Sequence, residues 1–224
     1  MKDGKCLVVF SGGQDSTTVL GWALKEFADV EAITFVYGQR HSVEVKQAKK
    51  ICEMLGVKQK IVEIDFLSQL TDSALVFGGE NHDVNKINDK GLPSSFVPNR
   101  NQTFITLAHT YAQQIGAENL ALGVCQTDYS GYPDCRADFI HAIEYATNLG
   151  SQEDIKIHTP LMYLTKAQTF KLAEDVEFLD LVLEYSHTCY KGDHETRHSW
   201  GYGCGECPAC KLREKGYKEF LKLN

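Results

Sequence analysis

Apolar residues in this chain fall into two rhythms. Cys6-Leu7-Val8-Val9-Phe10 is an unbroken apolar run with β-branched residues and no polar alternation, the pattern of a strand buried on both faces. Val30 to Tyr37 predicts a second strand and Lys60 to Ile64 a third. Between the first two, Asp15 to Phe27 carries helical character. From Ser42 to Leu55 a helix is predicted, because Ala48, Ile51, Cys52 and Leu55 share one face, with Gly56 as its stop. A short amphipathic piece covers Phe66 to Leu75. Further on, Asn101 to Ile115 and Asp134 to Asn148 predict helices, Leu120 to Val124 a strand and Ile155 to Leu161 an extended stretch. Thr165-Lys166-Ala167-Gln168 has the form of a capping box opening a helix that runs to about Asp175. The β-α-β-α order predicts an α/β fold, a Rossmann-like, doubly wound parallel sheet with right-handed crossovers.

Two segments stand apart from this rhythm. Phe77 to Arg100 is rich in Gly, Asn, Asp, Ser and Pro, and so long a connection in a compact domain reads as an active-site flap, with simple disorder as the competing reading. Near Tyr185 a cysteine-rich tail begins. The expected division is a main domain over 1–185 and a C-terminal region over 186–224 that ends in a helix.

Composition narrows the function. The 224 residues are enough for one sizeable domain with a small appendage. The formal net charge of −7 gives no global basic field for a polyanion. The one dense basic stretch, Lys211-Leu212-Arg213-Glu214-Lys215, alternates with acid and reads as a solvated helix face. A small-molecule substrate and no stable nucleic-acid partner are therefore expected. No run approaches the roughly 18 apolar residues of a membrane span, and Met1-Lys2-Asp3-Gly4-Lys5 has no signal-peptide character. A cytoplasmic protein with reduced thiols is the expectation.

At the end of the first strand, Phe10-Ser11-Gly12-Gly13-Gln14-Asp15-Ser16-Thr17-Thr18 turns the chain with two glycines and starts a helix. Ligands of open α/β sheets bind at such carboxyl ends. Glycines let backbone amides approach a phosphate, and the helix N-terminus adds free N–H groups and partial positive charge. Ser11, Ser16 and Thr17 offer hydroxyl donors to the same anion. The motif lacks the Gly-Lys-Ser/Thr of a Walker A loop and the third glycine of a dinucleotide fingerprint. It resembles the Ser-Gly-Gly-x-Asp-Ser signature of the PP-loop ATP pyrophosphatases, which implies cleavage of ATP between its α and β phosphates. The bland alternative is a glycine turn with Asp15 capping the helix.

Cys189-x14-Cys204-x2-Cys207-x2-Cys210 lies among Gly192, Gly201, Gly203 and Gly205. Four thiolates at short spacing suit a tetrahedral Zn²⁺, and a full set leaves no open position, so the role read here is structural. An Fe–S cluster is the other four-cysteine reading. His187, His194 and His198 are expected as surface histidines, and Cys6, Cys52, Cys125 and Cys135 as packing residues.

Further stretches narrow the resemblance: Tyr37-Gly38-Gln39-Arg40-His41, Phe96-Val97-Pro98-Asn99-Arg100-Asn101, and Gly123-Val124-Cys125-Gln126-Thr127-Asp128-Tyr129-Ser130-Gly131-Tyr132-Pro133-Asp134-Cys135-Arg136. With the phosphate loop and the four cysteines they cover nearly the whole chain, which resembles the QueC family of 7-cyano-7-deazaguanine synthases in queuosine biosynthesis. The resemblance implies an adenine nucleotide alpha hydrolase-like fold, one Zn²⁺ on Cys189, Cys204, Cys207 and Cys210, and a homodimer. It also implies a reaction in which 7-carboxy-7-deazaguanine and ammonia yield the nitrile through an adenylated carboxylate and an adenylated amide. ATP, with Mg²⁺, would leave as AMP and pyrophosphate.

On this resemblance Phe10 to Leu20, including Val19 and Leu20 beyond the loop, hold ATP, with Ser11, Gly12, Gly13, Asp15 and Ser16 nearest the phosphates. Ser11, Asp15, Ser16, Arg100 and Lys166 form the expected catalytic set. Arg100 is a clamp on phosphate or substrate carboxylate, or else a surface arginine, and Lys166 reaches the phosphates or serves its capping box alone. Tyr37, Gln39, Arg40, His41, Asp128, Tyr129, Tyr132, Asp134 and Arg136 form the expected substrate side. There Asp128 or Asp134 accepts from the N–H edge of the base, and Tyr129 or Tyr132 stacks on it.

Two positions depart from the family pattern. Asn99 replaces an expected glycine, which asparagine's tolerance of left-handed backbone accommodates. Gln168 stands where Glu is expected, which removes an acid–base group. A tRNA-modifying PP-loop enzyme that adenylates or thiolates a base is the rival enzyme, with Cys125 or Cys135 as its thiol. A nucleotide-binding module with a zinc interaction site is the rival from a different class.

Overall fold

Strand β1 (Lys5–Val9) is central, and its alternate side chains feed two cores. Cys6, Val8 and the following Phe10 pack with Val19, Leu20, Ala48 and Ile51. Leu7 and Val9 pack with Ile105, Ala108, Ile140 and Ile143 on the opposite face. A strand covered on both sides has no polar face, which is why its sequence shows no alternation. The computed structural model describes residues 2–38, 43–70, 73, 87, 91–127 and 132–223.

The chain continues as α1 (Gln14–Glu26), β2 (Asp29–Val36), α2 (Val43–Leu55) and β3 (Lys58–Glu63), then α3 (Arg100–Ile115), β4 (Asn119–Ala121), α4 (Ala137–Ser151) and β5 (Lys156–His158). The five strands lie in the order β3-β2-β1-β4-β5, with every pairing parallel. Helices α1 and α2 cover one face and α3 and α4 the other. This is the doubly wound sheet expected. Because the winding reverses between β1 and β4, their carboxyl ends open the crevice where such folds bind ligands.

Helices α5 (Lys166–Asp175), α6 (Leu179–Tyr185) and α7 (Pro208–Phe220) pack on one another through Phe170, Val182 and Phe220. Between α6 and α7 lies a small hairpin of β6 (Arg197–His198) and β7 (Gly201–Tyr202). None of the helices among the described residues is long and apolar enough to cross a membrane.

Several boundaries differ from the sequence reading for physical reasons. The helix expected from Asp134 starts at Ala137, because Pro133–Cys135 forms a 3-10 turn and Arg136 is extended. Strand β4 ends at Ala121 rather than Val124; two residues on, Gly123 passes so close to α1 that a Cβ there would lie 3.0 Å from the Ser16 amide. Helix α6 was not predicted; it is short and follows Glu177 in the left-handed region (φ 63°). The basic stretch 211–215 is not simply a solvated face, because Arg213 is 1% exposed. Most of the flap expected over 77–100 lies outside the described residues.

Candidate active site

The β1–α1 loop is shaped by its two glycines. Gly12 has φ +83°, and a Cβ on it would stand 2.7 Å from the Ala48 amide and 2.8 Å from the Glu44 carbonyl, so no other residue fits. Gly13 is the α1 N-cap, and no side chain caps the helix there. Gln14 N donates to Thr188 Oγ1 at 3.4 Å, and the next amides of the first turn, those of Asp15 and Ser16, are the ones offered to an anion. Ser11 and Ser16 meet across the turn, with Oγ atoms 3.1 Å apart. Thr17, expected to face the anion, donates its hydroxyl to Gly13 O at 2.8 Å instead, and Thr18 donates to Gln14 O at 3.1 Å. Thr17, Thr18, Val19 and Leu20 are fully buried and lie behind the loop.

A cavity of about 370 Å³ opens over this loop at the β1/β4 switch, within the range of about 300–1,000 Å³ usual for ligand sites. Phe10, Ser11, Gly13, Gln14, Asp15 and Ser16 border it, as do Gly123 and Val124 just past the end of β4. Lys166 enters from α5 and donates to both oxygens of Asp15, at 2.8 and 2.9 Å. The capping box seen in sequence places it: the Thr165 hydroxyl accepts from Gln168 N and the Gln168 side chain accepts from Thr165 N. Gln168 closes this box without a charge. Gly216 of α7 lies against the Lys166 stem, where a Cβ would come within 2.4 Å of Lys166 Cγ.

The C-terminal region closes the same end. Arg213 donates from Nε to Trp200 O (2.9 Å), from Nη2 to Val182 O (2.8 Å) and from Nη1 to Thr188 Oγ1 (3.1 Å). Thr188 Oγ1 also accepts from Gln14 N at 3.4 Å, and His187 N donates to Gly12 O at 2.9 Å. Burial pulls the Arg213 pKa down to about 10, still far on the charged side of neutrality. A second cation thus borders the cavity. His187, expected at the surface, is 3% exposed, and burial lowers its pKa to about 4.

Next to this wall, the four expected cysteines converge. Their sulfurs all lie within 4.8 Å of one another, and those of Cys204 and Cys210 are 3.9 Å apart. Zinc–sulfur bonds of about 2.3 Å in a tetrahedron put sulfurs about 3.8 Å apart, so the cluster fits such an ion. The amides of Glu206 and Cys207 point at Cys204 Sγ, both at 3.4 Å, an arrangement that favours thiolate. Gly203 lets the chain pass Cys210, since a Cβ there would sit 2.6 Å from its sulfur.

The opposite wall is aromatic and carries Arg100. This first residue of α3 lies with its guanidinium carbon 6.0 Å from the ring centres of both Tyr37 and Tyr132. Its Nε is buried with no hydrogen-bond partner among the described residues. Asn99 before it adopts φ 58°, ψ 16°, the left-handed turn that sequence expected asparagine to tolerate. Tyr132 is held by Ser95 Oγ at 2.6 Å. Asp134 does not border the cavity: its Oδ2 accepts from Asn101 N at 3.1 Å, securing the start of α3, and its Oδ1 is buried without a partner among the described residues. Burial raises its pKa. Arg136 is exposed at the N-cap of α4, away from the cavity. Gln39, Arg40, His41, Asp128 and Tyr129 lie outside the described residues.

Sequence reasoning passed over Glu44, which stands in the cavity wall between the two ends. Burial raises its pKa, and the neighbouring Ser11 side chain and the Arg100 charge act against that rise. The signal was present, since Glu44 lies one turn before Ala48 on the buried stripe of α2. Arg213 likewise follows Cys210 by three residues, on the stripe that includes Gly216 and Phe220. Cys6 and Cys52 are core residues as expected. Cys125 and Cys135 also border the cavity, and burial pushes the Cys135 thiol up to about 12, far from a ready nucleophile.

Comparison with known proteins agrees with this geometry. The family described as "Queuosine biosynthesis protein QueC" matches residues 5–221. A 7-cyano-7-deazaguanine synthase of Helicobacter pylori (strain Shi470) is 55% identical over 225 residues, covering 98% of each chain. The protein of the same name from Bacillus subtilis (strain 168) is 50% identical over 224 residues, covering 100% of this chain and 98% of its own. Among solved structures, a 4-thiouridine synthetase in complex with RNA and bound ATP superposes with a TM-score of 0.54 at 19% identity, over 98% of this chain and 51% of that one. At that identity the likeness establishes the fold alone.

Proposed function

The chain belongs to the QueC family, and from that premise we propose that it converts 7-carboxy-7-deazaguanine and ammonia to 7-cyano-7-deazaguanine, splitting ATP to AMP and pyrophosphate. The observation that carries this reading is the two-ended cavity. Loop amides, Ser11, Ser16, Lys166 and Arg213 gather at one end, and Arg100 between Tyr37 and Tyr132 at the other.

The loop amides and serines grip the pyrophosphate portion of ATP. Lys166 and Arg213 balance charge that builds as pyrophosphate departs. Arg100 offers its unpartnered Nε to the substrate carboxylate, and Tyr37 and Tyr132 give the flat base an aromatic bed. A carboxylate oxygen leaves poorly, and its adenylate leaves well. Ammonia displaces AMP from the first adenylate to give the amide, and a second adenylation lets the amide oxygen depart as AMP and leaves the nitrile. Mg²⁺ carried with the nucleotide offsets phosphate charge. Asp134 acts through α3, which it anchors, rather than on the base.

Cys189, Cys204, Cys207 and Cys210 would hold one Zn²⁺, which cross-links the C-terminal region over 186–224 beside the domain of 1–185 and supplies no open coordination position. We also assign a cytoplasmic homodimer, for which α4 offers exposed Tyr145 and Leu149 one turn apart. Light scattering reads that state directly.

The test of the reaction is mass spectrometry of the purified protein with 7-carboxy-7-deazaguanine, ammonium and ATP. The nitrile, AMP and pyrophosphate are expected, with no turnover when the deazaguanine is omitted. Pyrophosphate release triggered by tRNA alone would overturn the reading.

A further inference from the structure

An anion-binding cavity is an unfavourable place for a carboxylate, yet Glu44 stands in the wall of this one. Its position is specific. Helix α2 presents it at the start, and its main-chain carbonyl packs under Gly12 while its Oε1 lies 3.6 Å from the point where a Cβ on Gly13 would be. On one side it neighbours the Ser11 side chain. On the other, its charge is felt by Tyr37 and it feels that of Arg100. Glu44 therefore lies between the loop that holds phosphates and the arginine that faces the substrate, where an acyl adenylate would join the two.

The Asp15 carboxylate in the same cavity is matched by Lys166 at 2.8 Å. Among the described residues, Glu44 has no ion pair of comparable closeness, and Arg100 acts on it through space. A carboxylate held beside the reaction point, in a site that must also admit the small cation NH₄⁺, has an evident use. Resting on the activity proposed above, we infer that Glu44 binds ammonium at the adenylate and accepts its proton.

One proton of NH₄⁺ passes to the Glu44 carboxylate, and the freed lone pair of ammonia forms the C–N bond to the acyl carbon. The C–O bond to the phosphate breaks with its electron pair going to AMP. The second surplus nitrogen proton leaves with the AMP phosphate. Arg100 and Tyr37 face Glu44 from α3 and the end of β2, and Ser11 from the loop; burial raises the Glu44 pKa, which makes its carboxylate the stronger base, while the Ser11 side chain and the Arg100 charge work against that rise.

The Glu44→Gln protein separates this role from others, because the amide keeps shape and hydrogen bonding and loses basicity. Substrate-dependent exchange of labelled pyrophosphate into ATP, measured without ammonium, reports adenylation alone and is expected to stay within about threefold of the parent protein. Turnover with ammonium is expected to fall at least 100-fold, in line with general-base contributions of about 10²–10⁴. Hydroxylamine, already uncharged at neutral pH, is expected to capture the adenylate at nearly the parental rate. Loss of exchange in Glu44→Gln, restored by raised Mg²⁺ or not, would place Glu44 with the phosphates and overturn the inference. So would unchanged ammonium kinetics, or equal loss with both nucleophiles. If the parent protein itself shows neither exchange nor nitrile, the proposed function fails first, and the two failures are distinct.

Discussion

The Lys166 ammonium lies 2.8 and 2.9 Å from the two oxygens of Asp15, and the pair is unequally buried, with side chains 8% and 32% exposed. Asp15→Asn turns a charge-assisted contact of a buried ammonium into a neutral one and is expected to destabilise by about 2 kcal/mol, within the range for hydrogen bonds to charged groups. Lys166→Met keeps most of the packed stem and leaves a carboxylate that water reaches, so about 1 kcal/mol is expected. Urea unfolding checks the order, and equal losses would contradict it. Both proteins are expected to lose most pyrophosphate exchange.

How much of this was legible in the sequence depends on whether neighbours in space were neighbours in the chain. Phe10 to Ser16 read correctly as strand, turn and helix start because the glycines, serines and apolar run are contiguous. The four cysteines converge as expected because sulfur has few other reasons to recur at such spacing. Arg213 and Glu44 escaped notice because charged residues are normally solvated. Only the fold shows that Arg213 finds two carbonyls and Thr188, and that Glu44 faces Ser11. Asp134 was read as a ligand to the base because its neighbours along the chain are distinctive, whereas its partner is Asn101 on another element.

Removing the metal is expected to reach the phosphate loop. The cysteine cluster shares a wall with His187 and Thr188, which bond Gly12 and Gln14. Cys207→Ser removes one of four thiolates from a site that needs them all. Elemental analysis is expected to fall from about one zinc per chain to well below one half, with a lower melting temperature and increased proteolysis after Tyr185. Full metal content in the variant would show that the four sulfurs do not act as one site.

Acid stability should carry the signature of Glu31. This carboxylate, 5% exposed, meets Lys5 at 2.6 Å and Lys58 at 3.1 Å across three adjacent strands. Burial works to raise its pKa, but the two lysines together outweigh it and hold the value below the ordinary 4.5. A carboxylate with a depressed folded-state pKa stabilises above its unfolded pKa, and the stabilisation fades as pH falls through the folded value. Glu31→Gln is expected to be less stable than the parent at pH 7, with the gap closing as the pH is taken below 4.5. Urea unfolding at both ends of that window measures it, and a gap independent of pH would assign the effect to packing.

Gly216 does not border the cavity but packs against the stem of Lys166, which does. Gly216 is helical, and alanine is ordinarily favoured there by about 1 kcal/mol. At this position, however, a Cβ would lie 2.4 Å from Lys166 Cγ, 2.6 Å from its Cβ and 3.1 Å from its carbonyl carbon. The backbone atom cannot swing aside as a flexible tip would, so overpacking of about 1–3 kcal/mol opposes the propensity gain. The net change in stability is expected to be under about 2 kcal/mol. Activity should suffer more, because a shift of about 1 Å in a positioned group can slow a reaction on the order of 100-fold. Gly216→Ala is therefore expected to lower pyrophosphate exchange at least tenfold in a protein that still unfolds cooperatively. Gly150→Ala in α4, where a Cβ meets nothing within 4 Å, is the control expected to leave exchange unchanged. Parental exchange in Gly216→Ala would show that α7 does not set the position of Lys166.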